Sequence, residues 1–188
     1  MNLLNDFLKI FFEIEIIFHY ELDLDSIRSL DVGIPLKNKI FLSLDEVPEA
    51  VFEKILKYLG IRNAKIFTSK ITDKAKLVIS FLDEDIASYC FFGFKEQRFK
   101  FFHLGPEELY FFDCFTFPEY RGLGAIYSEV SFVINKFKEI GYKKANVEIE
   151  SFNTNSIKAF SKIGFHKTRE YQYIKVLFLK RVKEKSFK

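Results

Sequence analysis

Residues 113–127 read DCFTFPEYRGLGAIY, and this stretch decides the fold. A hydrophobic run ends at Pro118, and a glycine-punctuated turn then opens a helical pattern that lasts to Gly141. A helix N-terminus carries backbone N–H groups without intrahelical partners and the positive end of the macrodipole. Gly122 and Gly124 have no Cβ, so an anion can approach the backbone closely. Arg121 adds a fixed charge and a planar fork of donors. The residues alone predict a pyrophosphate cradle where a strand hands over to a helix.

Outward from this turn, 107–117 reads as a central strand, apolar on both faces except at Asp113 and Thr116. Upstream, 76–82 and 86–94 are apolar runs joined by a DED turn, a hairpin pattern. Before them the spacing predicts strands at 13–22 and 39–43 and a helix over 46–59. That helix has Asp45 as N-cap, Gly60 as its stop, and Val51, Phe52, Ile55, Leu56 and Leu59 on one face. Residues 61–75 carry both loop and strand signals. Downstream, the helix after the turn buries Ile126, Val130, Val133, Ile134 and Phe137, and 144–150 is its partner strand. A short helix over 154–163 turns Ile157, Phe160 and Ile163 inward and ends at Gly164; 165–181 holds one or two closing strands. This order predicts an α/β fold, a mixed sheet with helices on both faces.

The 188 residues suit one domain over 1–188, with 1–36 as an N-terminal extension packed on it and a basic, frayed tail at 182–188. A net charge of +3 argues against a dedicated nucleic-acid binder. Cys90 and Cys114 both fall in predicted strands. No signal-peptide pattern opens the sequence, so the expectation is two free buried thiols in a reducing, cytoplasmic setting. The apolar N-terminus is interrupted by Asp6, Lys9, Glu13 and Glu15, too short and too charged a stretch to span a bilayer. Lodging in a sheet or packing on the domain is the expectation there; docking of Leu3, Leu4, Phe7, Leu8 and Phe11 on a membrane surface is the alternative. The 25 phenylalanines, several as Phe-Phe pairs, read as core, as an apolar acceptor pocket or as a homodimer face. His19, His103 and His166 show no metal-ligand spacing, and no metal is expected.

Two motifs in order resemble the GNAT superfamily of acyl-CoA-dependent N-acetyltransferases. Its Arg/Gln-x-x-Gly-x-Gly/Ala signature is similar to the run from Arg121 to Gly124, preceded by PEY, with Ile126 at the last position. Its downstream pattern is matched by Asn153, Ser156, Ile157, Phe160, Gly164 and Phe165. The resemblance covers roughly 76–175. It implies a mostly antiparallel sheet with a splayed parallel strand pair that holds acyl-CoA. It also implies acetyl-CoA as co-substrate and a small-molecule or polypeptide amine as acceptor. Pantetheine would pair along Phe115, Thr116 and Phe117. The pyrophosphate would lie on Arg121, Gly122, Leu123, Gly124, Ala125, Ile126 and Tyr127. Asn153, Ser156 and Phe160 would complete the cofactor site. The stretch DCFTFPEYRG also looks like bacterial members associated with cell-surface sugar or lipid modification. A longer acyl chain, suggested by the aromatic load, and a catalytically silent CoA-binding protein, suggested by Phe160 and Ile126, are the rival readings.

For catalysis, Asp113 is the polar residue that most needs a reason. Between Leu109, Phe111, Phe115 and Phe117 an unpaired carboxylate is costly, and in such a setting a carboxyl titrates nearer neutrality, as a general base for an ammonium should. A structural aspartate is the alternative. Glu107 and Glu108 are secondary candidates, and strand alternation puts Cys114 on the opposite face. The family's usual acid, a tyrosine, is replaced by Phe160, which has no proton to give. Tyr127, in the first helical turn, is the other catalytic candidate.

Overall fold

The structure, a computed structural model, describes residues 12–27, 35–72, 75–94, 102–176 and 179–187. Among them the chain forms one eight-stranded sheet and three α-helices. The strands are β1 (Phe12–Asp23), β2 (Lys37–Phe41), β3 (Ala75–Leu82), β4 (Asp85–Gly93), β5 (Glu108–Thr116), β6 (Lys144–Glu150), β7 (His166–Val176) and β8 (Leu179–Ser186). The helices are α1 (Glu49–Lys70), α2 (Ala125–Lys138) and α3 (Thr154–Ile163). The sheet order is β2-β3-β4-β5-β6-β1-β7-β8. Every neighbouring pair is antiparallel except β5–β6, which is parallel. This is the α/β architecture that the motif order implies.

One face of the sheet carries α2 and α3. Val130, Val133 and Ile134 of α2 and Ile163 of α3 are fully buried there against Leu109, Phe111 and Val147. Burial of each such side chain is worth about 1.5–3 kcal/mol. The other face carries α1, whose Val51, Ile55 and Phe67 pack on Leu77, Ile79, Tyr89 and Phe91. The helix starts at Pro48 rather than Asp45, which lies in a preceding 3-10 turn. Leu56, expected inward, is exposed. Gly60 does break the helix, with φ 78 and ψ 167, yet helix resumes and runs on through 61–70, the stretch that carried mixed signals.

The strand expected at 13–22 is β1, which lies inside the sheet between β6 and β7 and belongs to the segment 1–36. Residues 1–11 and 28–34, with the proposed membrane-docking side chains, lie outside the described residues. The tail expected to fray is β8, an edge strand paired along its length with β7. Its exposed Arg181, Lys183 and Lys185 are the charged side chains that keep an edge from pairing further.

The most consequential local feature is in β5. The register with β4 passes from Phe91↔Phe112 to Tyr89↔Phe115, so β5 takes three steps where β4 takes two. Asp113 sits at this bulge with φ 48, a left-handed conformation that aspartate tolerates better than most residues. The extra residue inverts the alternation. Leu109 and Phe111 pack with α2 and α3, whereas Phe112, Phe115 and Phe117 pack on the α1 side. Cys114 and Cys90, which face each other across the bulge, are joined by a disulfide, so the expectation of two free thiols is corrected. The two cysteines therefore give no support to a cytoplasmic setting.

Candidate functional site

Pairing between β5 and β6 runs from Glu108↔Lys144 to Phe111↔Val147 and then stops, although both strands continue. The bulge at Asp113 bends β5 away just after its last pair, and the two strands splay. A cleft of about 1140 Å³ opens along this parting, between the end of β5, the start of α2 and the outer side of α3. Phe115, Thr116, Arg121, Gly122, Leu123, Gly124, Ala125, Ile126, Tyr127, Ser156 and Phe160 line it, with Tyr120 at one side. Of the residues expected to hold a cofactor, Phe117 and Asn153 are not in the lining. Phe117 is fully buried on the α1 side because the bulge turned it there. Asn153 caps α3 instead, its side chain accepting from the Ser156 N–H at 3.2 Å.

The glycine turn is built by backbone. The segment Pro118–Tyr120 makes one 3-10 turn, and Gly122 and Gly124 then take φ 82 and φ 78. Gly124 is the N-cap of α2 and offers no side-chain cap; the first bond of the helix is Ser128 N–H to Gly124 O at 3.0 Å. The amides at the start of α2 therefore stand ahead of the helical ladder, at the positive end of its dipole, facing the cleft. Arg121 Nε donates to Thr116 O at 3.3 Å, which ties the guanidinium to the end of β5 beside those amides. A Cβ at Gly122 would meet nothing within 4 Å, so glycine is needed there for its positive φ.

A polar brace fixes the turn on α1. Lys54 Nζ donates to Asp85 Oδ1 and to Ile86 O, both at 2.7 Å, lies 3.4 Å from Glu119 Oε1, and sits 4.6 Å from the Phe117 ring centre. Tyr58 donates to Glu119 at 2.8 Å, and Tyr120 donates to Asp85. That last bond pushes the Tyr120 hydroxyl up to about 12, which makes it a weak proton donor despite its place at the cleft.

Asp113 differs from expectation. It is 47 % exposed and pairs with Lys70 Nζ from the last turn of α1, so it is neither buried nor unpaired. The alternation used to place it fails at the bulge, where Asp113 is the inserted residue. It lines a second, smaller pocket of about 220 Å³ between the end of α1 and β4–β5. Cys114 and Phe115 line both cavities, so the two meet at the bulge from opposite faces of the sheet. Glu107 pairs with Lys143 and Glu108 accepts from the Gly105 N–H, both at the far end of β5. Phe160 is 3 % exposed and packs edge-on against Phe165 at 5.2 Å. Tyr127 is half-buried at the cleft.

Sequence reading missed Glu129. It lies on the inner face of α2, fully buried, where the helical period predicts an apolar residue. Its Oε1 accepts from the Ser80 N–H at 3.0 Å and from the Ser88 hydroxyl at 2.6 Å. Asn38, which accepts from Ser80 Oγ, donates to Ser128 Oγ at 2.7 Å and extends the network to the first turn of α2. Burial pushes the Glu129 carboxyl up to about 8. The signal was present as two serines, Ser80 and Ser88, inside otherwise apolar strands. His19 is buried, with Nε2 at 3.1 Å from Asn146 Oδ1 and its ring against Phe102. Among the described residues no group of His, Cys, Asp and Glu gathers as a metal site, and no helix is long and apolar enough to cross a membrane.

No protein-family model matches the sequence, and no curated protein matches it significantly. Solved structures do match in fold. A conserved protein of unknown function from Staphylococcus epidermidis superposes with a TM-score of 0.60 at 11 % identity, over 93 % of this chain and 66 % of its own. The glucosamine N-acetyltransferase region of a fungal multi-domain beta-N-acetylglucosaminidase gives 0.60 at 13 % identity, over 90 % of this chain and 22 % of that one. A GNAT-family acetyltransferase from Colwellia psychrerythraea gives 0.59 at 13 % identity, over 94 % and 57 %. The chain thus spans under two thirds of these structures' lengths, and at such identities the likeness is one of fold.

Proposed function

From the GNAT fold that this chain shares with those acetyltransferases, we propose that it is an acyl-CoA-dependent N-acetyltransferase that moves the acetyl group of acetyl-CoA to a primary amine. One observation carries the reading: the parallel pair parts at a bulge, and the cleft so formed ends on the glycine turn and amides that open α2. The pyrophosphate would rest on the amides of residues 122–127 beside Arg121, and the pantetheine arm on the open edge of β5 at Phe115 and Thr116. The fit is chemical: the lining pairs a cationic, N–H-rich end for phosphates with an apolar end at Cys114, Phe115 and Phe160 for the thioester arm.

In this reading Asp113, directly or through a water, takes a proton from the substrate ammonium. The amine nitrogen then attacks the thioester carbonyl, whose developing negative charge is met by backbone N–H groups at the bulge. The C–N bond forms as the C–S bond breaks, the leaving thiolate takes a proton from Tyr127 or from solvent, and the second proton shed by the nitrogen returns to that donor. The acceptor class first suggested by the sequence is a cell-surface sugar precursor. Titration calorimetry with acetyl-CoA, followed by thiol release against a panel of amines, tests the whole reading. Binding without release under any amine would favour the silent CoA-binding alternative, and faster turnover with longer acyl-CoA the longer-chain one.

Two variants probe the cleft. Gly124→Val places a β-branched residue at φ 78, where L side chains are strained, and crowds the cradle. CoA affinity should fall by about fivefold to 150-fold, as overpacking by about 1–3 kcal/mol requires. Unchanged affinity in a folded variant would remove the cradle assignment. Phe160→Tyr adds a hydroxyl at the cleft wall. Turnover should rise where protonation of the thiolate limits the rate, and a fall at unchanged melting temperature would place the acid elsewhere.

A further inference from the structure

We infer that the 220 Å³ pocket between the end of α1 and β4–β5 is the acceptor subsite, and that it takes a primary amine carried on an aromatic or compact apolar body. The inference rests on the N-acetyltransferase reading for the word acceptor; the pocket's chemistry stands on its own. Four rings, Phe67, Tyr89, Phe91 and Phe115, make its walls. They hold one another: Phe67 lies edge-on to Tyr89 at 5.1 Å and to Phe91 at 5.2 Å, and Tyr89 stacks on Phe115 at 5.7 Å. At the mouth stand the Asp113 carboxylate and the Lys70 ammonium as an ion pair.

Size and polarity select the occupant. A cavity of about 150 Å³ accepts a benzene ring, so this one takes a ring with a short aminoalkyl arm. A sugar ring would set most of its hydroxyls against the four rings, and those out of reach of Asn63, Lys70 and Asp113 would go unpaired at a cost. An ammonium on the arm meets Asp113, and its neighbours are the aromatic faces that favour cations. Cys114 and Phe115 form the shared wall with the larger cleft, so the amine end would point to the place where the two cavities join. Lys70 is a resident cation that the substrate must displace from Asp113, which makes it a brake on binding. This reading replaces the sugar precursor as the acceptor class.

The probe is 2-phenylethylamine, compared with glucosamine and spermidine, on the full chain. In wild type, phenylethylamine should shift the backbone amide resonances of 63–70 and 113–115, and the two polar amines should not. Ile66→Trp fills the pocket from its exposed rim. It should abolish those shifts and leave acetyl-CoA affinity unchanged. Lys70→Met should raise phenylethylamine affinity roughly three- to tenfold, by removing a like charge at the mouth. With acetyl-CoA present, thiol release should favour phenylethylamine over glucosamine by at least about tenfold in kcat/KM. Equal or tighter binding of glucosamine at the same resonances, absence of shifts with phenylethylamine, or shifts that survive Ile66→Trp would overturn the proposal. Phenylethylamine shifts without any acetyl-CoA binding would instead overturn the N-acetyltransferase reading and keep an amine pocket.

Discussion

Asp113→Asn should lower turnover by about 10²–10⁴-fold, the usual range for a general base, and leave acetyl-CoA affinity unchanged. The substitution separates chemistry from structure unusually well. Asparagine tolerates the left-handed φ of 48 that Asp113 adopts. The ion pair it loses is a partly exposed one with Lys70, and such pairs contribute about 0–1 kcal/mol. The melting temperature should therefore barely move. A stable and fully active Asp113→Asn protein would exclude Asp113 as base or water anchor, and Tyr127 would be next to examine. A fall in activity that merely tracks unfolding would assign Asp113 a structural role at the bulge.

The second large effect concerns stability. Burial pushes Glu129 up to about 8 from the ordinary 4.5, so the folded state holds this proton more tightly than the unfolded chain does. A raised folded-state value contributes stability that is complete below about 4.5 and is lost as pH rises through about 8. The separation corresponds to roughly 4–5 kcal/mol, a large share of a domain's total stability. Glu129→Gln keeps an oxygen for the Ser80 N–H and the Ser88 hydroxyl but cannot ionise. Urea midpoints measured from pH 5 to about 9 should decline for the wild type and change much less for the variant. Parallel curves would mean that Glu129 does not titrate in the folded state over that window. Because the network reaches Ser128 through Asn38, ionisation should also loosen the first turn of α2 and weaken acetyl-CoA binding at alkaline pH.

Periodicity and turn chemistry are local, so they made much of this molecule legible. The hairpin of β3 and β4 followed from two apolar runs around DED. The stop of α3 at Gly164 followed from that glycine's place after the last inward residue. The strand–glycine-turn–helix order at 108–138 was legible from spacing alone. Gly60 shows the limit of such signals: a glycine with positive φ did interrupt the helix, but packing of Phe67 on Tyr89 and Phe91 rewarded its continuation to Lys70. Likewise the basic end of the chain looked like a frayed tail. Its charges sit on the exposed side chains of a strand whose backbone pairs with β7, a contact that composition does not encode.

The sequence by itself determined most of the elements, their order, the glycine turn and the resemblance to acyl-CoA-dependent acetyltransferases. The elements and the turn rest on spacing within one segment, where side-chain period and backbone freedom suffice, and the resemblance on two such segments taken in order. Only the tertiary structure decided what the inserted residue in β5 does. One extra residue between Phe112 and Phe115 inverts every side chain after it. That slip carries Phe117 out of the cleft and sets Cys114 against Cys90. It also brings Asp113 out beside Lys70 and ends the pairing of β5 with β6, where the cleft begins. A bulge is a relation between two strands, set by how they pair, and the alternation of one strand read alone cannot contain it.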